Sequence, residues 1–501
     1  MLARGLLHAP HHKRIGRCLV HSLRTYEHDP RWPGWQVVIG LEVHAQIKSR
    51  AKLFSDSWTS ELGEPSNTHV TPYDAAFPGT LPHLNPTCVD LGLRTALALD
   101  ANIQPRSSFD RKHYFYADLP AGYQITQRYA PLARDGKLDL PQSNVSVRIE
   151  QIQLEQVDPL SHLYPQPLTL SQQDTAKSTF DPRRRLSSID LNRAGTGLME
   201  IVSRPDMRNP EEAGEYVRTL QALLRSIGSS DGNMEQGSLR CDVNVSVNRP
   251  GEALGTRCEI KNLNSVRFMI VAIICEVHRH LALLSEGRPV PQETRGFNEN
   301  TGETFKLRSK EDAPDYRYMP DPNLPPLLLD QNYIEQIRQS MPELPHQIRA
   351  RLQRQGLSQR DTDVLMAVDS GREVGYDGEL GQGATAYFDA LARDRDPKEV
   401  VNWDLRKDAA QVYARPSTSE RPDRLAQELS LTAMQDEPDF LGELCKEAIT
   451  KLPEEAEAVR QGNTKVLNKL VGSVMKSSRG RADAQAVRSK LQEVLLPNAS
   501  S

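Results

Sequence analysis

Basic residues are not in excess in this chain: 62 lysines and arginines stand against 66 aspartates and glutamates, a net charge of −4. A uniformly basic nucleic-acid coat is thereby excluded, and any affinity for RNA has to come from local patches. Long apolar runs are also wanting, and no stretch is read as long enough to span a bilayer. The six cysteines (Cys18, Cys88, Cys241, Cys258, Cys275 and Cys445) form no C-x-x-C pair. No zinc is expected, and free thiols in a reducing compartment are. The G-x-x-x-x-G-K-[ST] phosphate loop, the G-x-S-x-G elbow and the H-E-x-x-H helix are all missing, so any nucleoside triphosphate would not be held in a P-loop and neither serine-hydrolase nor metalloprotease chemistry is announced.

What remains is a chain of 501 residues, 38% hydrophobic and 26% charged, which suits a folded enzyme of two or three domains. Its first residues differ from the rest. Arg4, Lys13, Arg14, Arg17 and Arg24 precede the first acidic residue, Glu27, and are interleaved with Leu2, Leu6, Leu7, Ile15, Leu19 and Val20. This composition predicts a mitochondrial transit peptide over residues 1–33, with folding beginning near Trp35. Alternating runs broken by Gly and Pro turns then predict a sheet-rich domain over 34–330. Helical patterns follow over 331–413, a Pro- and Ser-rich linker over 414–425, and a helical tail over 426–501. The Pro-, Gln- and Ser-rich stretch 157–173 reads as an inserted surface loop, and the fold class expected is α+β.

The chemistry-bearing residues sit on the polar sides of the alternating runs. In "VVIGLEVHAQI" the apolar residues Val37, Ile39, Leu41, Val43, Ala45 and Ile47 share one parity, leaving Glu42 and His44 on the other face, about 7 Å apart. "SLRCDVNVSV" places Asp242 likewise, "QIQLEQ" offers Glu155, "GLMEIVS" offers Glu200, and "GTRCEIKNLNS" offers Glu259 with Lys261. Oxygen donors with one imidazole suit Mg²⁺, which completes its shell with water and substrate phosphates. The plain alternative is a half-solvated antiparallel sheet, because spacing cannot show that these groups converge. Glu200 fits that alternative least, as a lone carboxylate among Leu198, Met199, Ile201 and Val202 either reaches the sheet's edge or needs a partner. In "DRKHYFYADLPAGYQITQ", Arg111, Lys112 and His113 adjoin Tyr114, Phe115, Tyr116 and Tyr123. Cations that hold phosphates beside rings that stack bases suit a single-stranded RNA end; an aromatic core edge with a solvated basic corner is the alternative.

Seven segments in order, "VIGLEVHAQI", "FPGTLPHLN", "DRKHYFYADLPAGYQITQ", "IDLNRAGTGLMEIVSRPDMR", "DGNMEQGSLRCDVNVSV", "IKNLNSVRF" and "DYRYMPDPNLPPL", resemble signatures of the B subunit family of glutamyl-tRNA(Gln) amidotransferases. The likeness runs from about residue 35 to the C-terminus, and the N-terminal segment resembles the presequence of a mitochondrial-matrix form. The resemblance implies ATP- and Mg²⁺-dependent phosphorylation of the glutamyl side chain of misacylated Glu-tRNA(Gln), then displacement of phosphate by ammonia to give Gln-tRNA(Gln). It implies a partner amidase, the A subunit, that supplies ammonia through a channel, and a small C subunit or a fungal-type replacement for it. It places His44, Glu155 and Glu200 in the metal set and Glu42, Asp242 and Lys261 among the catalytic groups. Arg111, Lys112, Tyr114, Tyr116 and Tyr123 are assigned to the tRNA end or nucleotide. Gln156 stands where a second carboxylate is usual, which leaves open whether Glu155 or the neutral carbonyl of Gln156 faces the metal.

In the tail, "TKVLNKLVGSVMK" sets Val466, Leu467, Leu470, Val471, Val474 and Met475 at helical spacing, and "ADAQAVRSKLQEVL" follows with Asp483 as a candidate N-cap. Lys476, Arg479 and Arg481 near the junction are the candidate grip on the tRNA body. Two other classes stay in play: a metal-dependent hydrolase acting on RNA, and a non-catalytic RNA-binding scaffold.

Overall fold

The computed structural model describes residues 29–61, 63–115, 119–156, 177–181, 183–309, 315–393, 396–404, 438–460, 466–478 and 484–495. The chain divides into two compact units, 1–388 and 389–501.

The first unit is organised around the strand with the clearest alternation. Val37, Ile39, Leu41, Val43 and Ala45 of β1 (Gln36–Gln46) are all 3% exposed or less. Each larger side chain contributes about 1.5–3 kcal/mol on burial, and a one-residue slip would turn the whole set outward. Fifteen further strands follow: β2 (Asn102–Ile103), β3 (Arg106–Ser107), β4 (Asp110–His113), β5 (Tyr123–Thr126), β6 (Ala133–Leu140), β7 (Val145–Gln156), β8 (Lys177–Asp181), β9 (Leu186–Asp190), β10 (Gly197–Ser203), β11 (Leu239–Asn248), β12 (Cys258–Leu263), β13 (Glu293–Asn298), β14 (Glu303–Ser309), β15 (Met319–Pro320) and β16 (Leu327–Leu328). Eight of them join β1 in one nine-stranded sheet in the order β14-β13-β12-β11-β1-β10-β7-β6-β2, so β1 lies inside it with partners on both sides. Every neighbouring pair is antiparallel except β12 and β13.

Helices cover the apolar face: α1 (Pro86–Ala98) packs against β2 and β7, α2 (Pro210–Ser226) against β6, and α3 (Val266–Ser285) against β11, β12 and β14. Asn85 caps α1 by accepting from the Thr87 N–H at 3.0 Å, and Asn209 caps α2 through the Glu212 N–H at 2.8 Å. Gly92 lets α1 sit close to the sheet, since a Cβ there would stand 2.9 Å from Leu132 and 3.0 Å from Leu154. With these helices set on an antiparallel-rich sheet, the fold is α+β.

One expectation needs correction here. α3 is 20 residues long and apolar enough, by length and composition, to cross a bilayer, so the chain does contain one such run. It is nevertheless laid on the sheet, and its buried side carries the charged Glu276, bonded to Arg279 at 2.6 Å, His280 at 3.0 Å and Arg295 at 3.1 Å. At the end of the stretch expected as leader, Trp32 is 2% exposed in the core, and Arg31 pairs with Glu211 of α2 at 2.6 Å. Residues 29–33 therefore belong to the folded body, while 1–28 lie outside the described residues, as do the insertion 157–173 and the linker 414–425.

In the second unit, helices Pro438–Lys451, Pro453–Arg460, Leu467–Ser477 and Ala484–Leu495 enclose Leu444, Cys445, Val459, Leu467, Leu470, Val474, Val487 and Leu491. All six apolar positions of the 466–475 pattern pack into this cluster.

Candidate active site

Register decides what shares the polar face. Residues directly opposite in an antiparallel pair project to the same side. β1 sets His44 opposite Glu200 of β10, and Glu200 lies opposite Gln153 of β7. One step along, Glu42 is opposite Asp242 of β11, and Asn244 is opposite Glu259 of β12. The period of two thus gathers residues from five strands on one surface.

His44, Glu155 and Glu200 converge, with one ligand atom from each within 4.8 Å of the others. His44 Nδ1 lies 3.1 Å from Glu155 Oε1. Burial alone would lower the imidazole's pKa, but Glu155 and Glu200 beside it raise it, so the ring carries a proton at neutral pH. Glu200 is pushed above the usual carboxylate range by burial and by the charge of Glu155, with His44 pulling the other way. The two carboxylates repel each other, and a hard divalent cation that takes the place of the imidazole proton would relieve them while His44 turns neutral and becomes a donor, so these residues fit Mg²⁺. Glu155, 4% exposed, faces this site. Gln156 does not: its side-chain oxygen accepts from the Ile125 N–H at 3.1 Å and its backbone oxygen accepts from Gln124.

The second group lies beside the first. Lys261 Nζ is 2.8 Å from Asp242 and 3.2 Å from Glu259, and Asn244 donates to Glu42 at 2.9 Å. Burial works against the Lys261 charge, but Asp242 and Glu259 outweigh it and hold the ammonium well above its ordinary pKa. Glu42 is raised by burial, then by Asp242 and Glu259. Another trio of donors, Cys258, Glu276 and His280, lies together at α3 and β12. There Arg279 bonds both Cys258 Sγ at 3.3 Å and Glu276, and Arg295 also pairs with Glu276, so positive charge is already supplied.

Over the end of β7 sits the small sheet β15-β4-β5. The Arg111 guanidinium lies 4.1 Å from the Tyr123 ring centre and donates to Asp321 at 2.7 Å. Lys112 Nζ is 5.5 Å from the Tyr114 ring and 4.8 Å from that of Tyr316. Lys112 is close enough to the trio of His44, Glu155 and Glu200 to lower the Glu200 pKa. Tyr114 is 5% exposed, more a wall than a free ring. Tyr116 lies outside the described residues. Tyr316 and Tyr318, absent from the sequence-derived set, extend the cluster: Tyr316 meets Tyr114 edge-on at 6.0 Å and Tyr318 at 6.1 Å, and Arg128 lies 5.5 Å from the Tyr318 ring. The signal was present in "DYRYMPDP", but nothing in the chain order places it over strands two hundred residues earlier. Lys476 is exposed in the last turn of helix Leu467–Ser477, and Arg479 and Arg481 lie outside the described residues.

Comparison with known proteins addresses the same region. A family model for the GatB/GatE catalytic domain matches residues 37–335, and one for the GatB domain matches 406–495. The chain belongs to the GatB family. It is 54% identical to the B subunit of the mitochondrial glutamyl-tRNA(Gln) amidotransferase of Laccaria bicolor, over 95% of each chain. It is 44% identical to the mitochondrial protein of that name from Mycosarcoma maydis, covering 93% of this chain and 87% of the relative. The B subunit of an aspartyl/glutamyl-tRNA(Asn/Gln) amidotransferase from Rickettsia bellii is 41% identical, over 92% of this chain and 98% of its own. Both carboxylate groups and the aromatic–cationic cluster fall inside the GatB catalytic match.

Proposed function

We infer that this GatB chain is the component of a mitochondrial tRNA amidotransferase on which the side chain of tRNA-borne glutamate is activated and amidated. The enzyme is a glutamine-dependent ligase that forms a carbon–nitrogen bond and consumes ATP. Convergence of His44, Glu155 and Glu200 beside Lys112 carries the finer reading. In the first step a glutamyl carboxylate oxygen of Glu-tRNA(Gln) attacks the γ-phosphorus of ATP and ADP leaves. In the second the ammonia nitrogen attacks the acyl carbon, the bond to phosphate breaks and the nitrogen sheds a proton. A carboxylate resists amines, whereas the acyl phosphate has a good leaving group.

His44, Glu155 and Glu200 would hold Mg²⁺, which supplies neutralisation of phosphate charge. Lys112 and Arg111 orient phosphates, and the Tyr123, Tyr316 and Tyr318 rings offer faces to a base. Lys261 keeps Asp242 and Glu259 in place, and Asp242 is the candidate acceptor of the proton from ammonia, with Glu42 beside it. On this reading residues 34–330 are the cradle that does the chemistry, 331–413 and the linker 414–425 connect it, and 426–501 grips the tRNA body. The partner amidase, the A subunit, hydrolyses glutamine and passes ammonia on, and a small C subunit or a fungal-type replacement stabilises the pair.

The test is phosphoryl transfer from labelled ATP to Glu-tRNA(Gln) by the reconstituted complex. Glu200→Gln should lose it while tRNA affinity is retained. Undiminished transfer would leave the chain a scaffold, and cleavage of RNA without ATP would make it a hydrolase.

A further inference from the structure

Behind the metal trio lies a set of uncharged side chains that the reaction does not itself require. Gln153 of β7, 5% exposed, faces the same side as Glu200 because the two are directly opposite in the ladder. Its Nε2 donates to Glu200 Oε2 and lies 3.3 Å from Thr126 Oγ1. Thr126, 3% exposed at the end of β5, donates in turn to Glu155 Oε2 at 3.2 Å. Gln151 Nε2 donates to Gln153 Oε1 at 2.9 Å, which fixes which end of the Gln153 amide faces the carboxylates. One amide and one hydroxyl thus hold an oxygen of each of two carboxylates that would otherwise repel each other and swing apart.

From this geometry we propose that Gln153 and Thr126 are positioning residues for the divalent cation: they hold Glu200 and Glu155 in a ligating arrangement. The inference rests on the reading of His44, Glu155 and Glu200 as the metal set, and it goes further in naming what aims them. Neutral donors suit the task. A lysine in place of Gln153 would hold Glu200 as well but would oppose the cation, whereas an amide orients the carboxylate without removing its charge. Thr126 also links the trio to the small sheet, since its strand continues the segment that bears Tyr123 and pairs with the strand of Arg111 and Lys112. A carboxylate and the aromatic–cationic cluster are therefore set in register by one side chain.

The experiment uses the full complex with Mn²⁺ as a paramagnetic probe, titrated by electron paramagnetic resonance, alongside the Mg²⁺ concentration that gives half-maximal phosphorylation and the KM for Glu-tRNA. Gln153→Leu and Thr126→Val should each weaken Mn²⁺ binding and raise the Mg²⁺ requirement about 10- to 100-fold. The KM for Glu-tRNA should stay near wild type at saturating Mg²⁺, and Thr126→Ser, which keeps the hydroxyl, should bind Mn²⁺ like the parent. His44→Ala and Glu200→Gln serve as controls. If the controls lose Mn²⁺ while Gln153→Leu and Thr126→Val stay within twofold of wild type, the positioning role is overturned and the metal set stands. If the controls bind Mn²⁺ normally, the metal reading itself fails and this inference with it. Should Gln153→Leu fold poorly, the contrast between Thr126→Val and Thr126→Ser decides alone, and equal affinity in that pair overturns the proposal.

Discussion

At the scale of single residues, the polar face separates two jobs that can be tested apart. Glu200→Gln and His44→Ala remove donors from the trio without touching the buried face of the sheet. Mg²⁺-dependent phosphorylation of Glu-tRNA should fall in both by more than the roughly 10- to 100-fold typical of losing an outer partner of a metal ligand. Circular dichroism should remain native, and normal activation at limiting Mg²⁺ would count against the assignment. Asp242→Asn addresses the other group: amide formation should fall by about 100-fold or more, the usual scale for a lost general base, with phosphorylation affected less. A rapid-quench measurement of both steps checks this, and equal losses would remove the role. Parity alone put Glu42, His44, Glu155, Glu200 and Asp242 on polar faces, and the strands carry them so. What parity could not supply is the cross-strand register that joins His44 to Glu200 and Gln153, which depends on pairings between residues distant in the chain. Thr126 was beyond reach, because it comes from a different sheet.

Among the elements, α3 buries a charge held by three basic partners. Glu276 is wholly buried, and although burial would raise its pKa, hydrogen bonds from His280 and Arg279 drive it far below the usual carboxylate range. A carboxyl with a depressed folded-state pKa stabilises the fold above its unfolded value, about 4.3, and the contribution is lost as pH falls below that point. The acid limb of the unfolding curve should therefore begin near pH 4 and steepen below it. Glu276→Gln should lose about 3–5 kcal/mol at neutral pH, because Arg279 and Arg295 are left with an uncompensated share of buried charge, and its acid limb should be flatter. Denaturant titrations between pH 3 and 7 read both effects. The three helices on the sheet are not legible in the alternating pattern, although Asn85-Pro86 and Asn209-Pro210 are cap-and-start signals. Period two dominates the runs around them, and α3, with its long apolar composition, lacks the polar stripe that marks a surface helix.

For the whole molecule, the charge argument is separable from the chemical one. If residues beyond about 425 hold the tRNA body through phosphates, deleting 426–501 should raise the KM for Glu-tRNA far more than it lowers turnover at saturation, because those contacts are equal in ground and transition states. The dependence of log affinity on log salt should flatten by about 0.7–0.9 per lost phosphate contact, and neutralising Lys476, Arg479 and Arg481 together should reproduce part of it. Filter binding across a salt series measures this, and an unchanged slope would assign tRNA binding to the cradle alone.

The strand that carries Glu42 and His44 pairs on one side with residues 198–202 and on the other with 239–248. It is made early and completed late. Until both of those distant segments have followed it, β1 is an apolar strand with a bare edge, the kind of segment that recruits a neighbour of its own sort. The site therefore closes in two steps of chain order: the His44–Glu155–Glu200 side can form once residues 198–202 are present, and the Glu42–Asp242 side only when 239–248 follow, so one edge of β1 needs shelter for longer than the other.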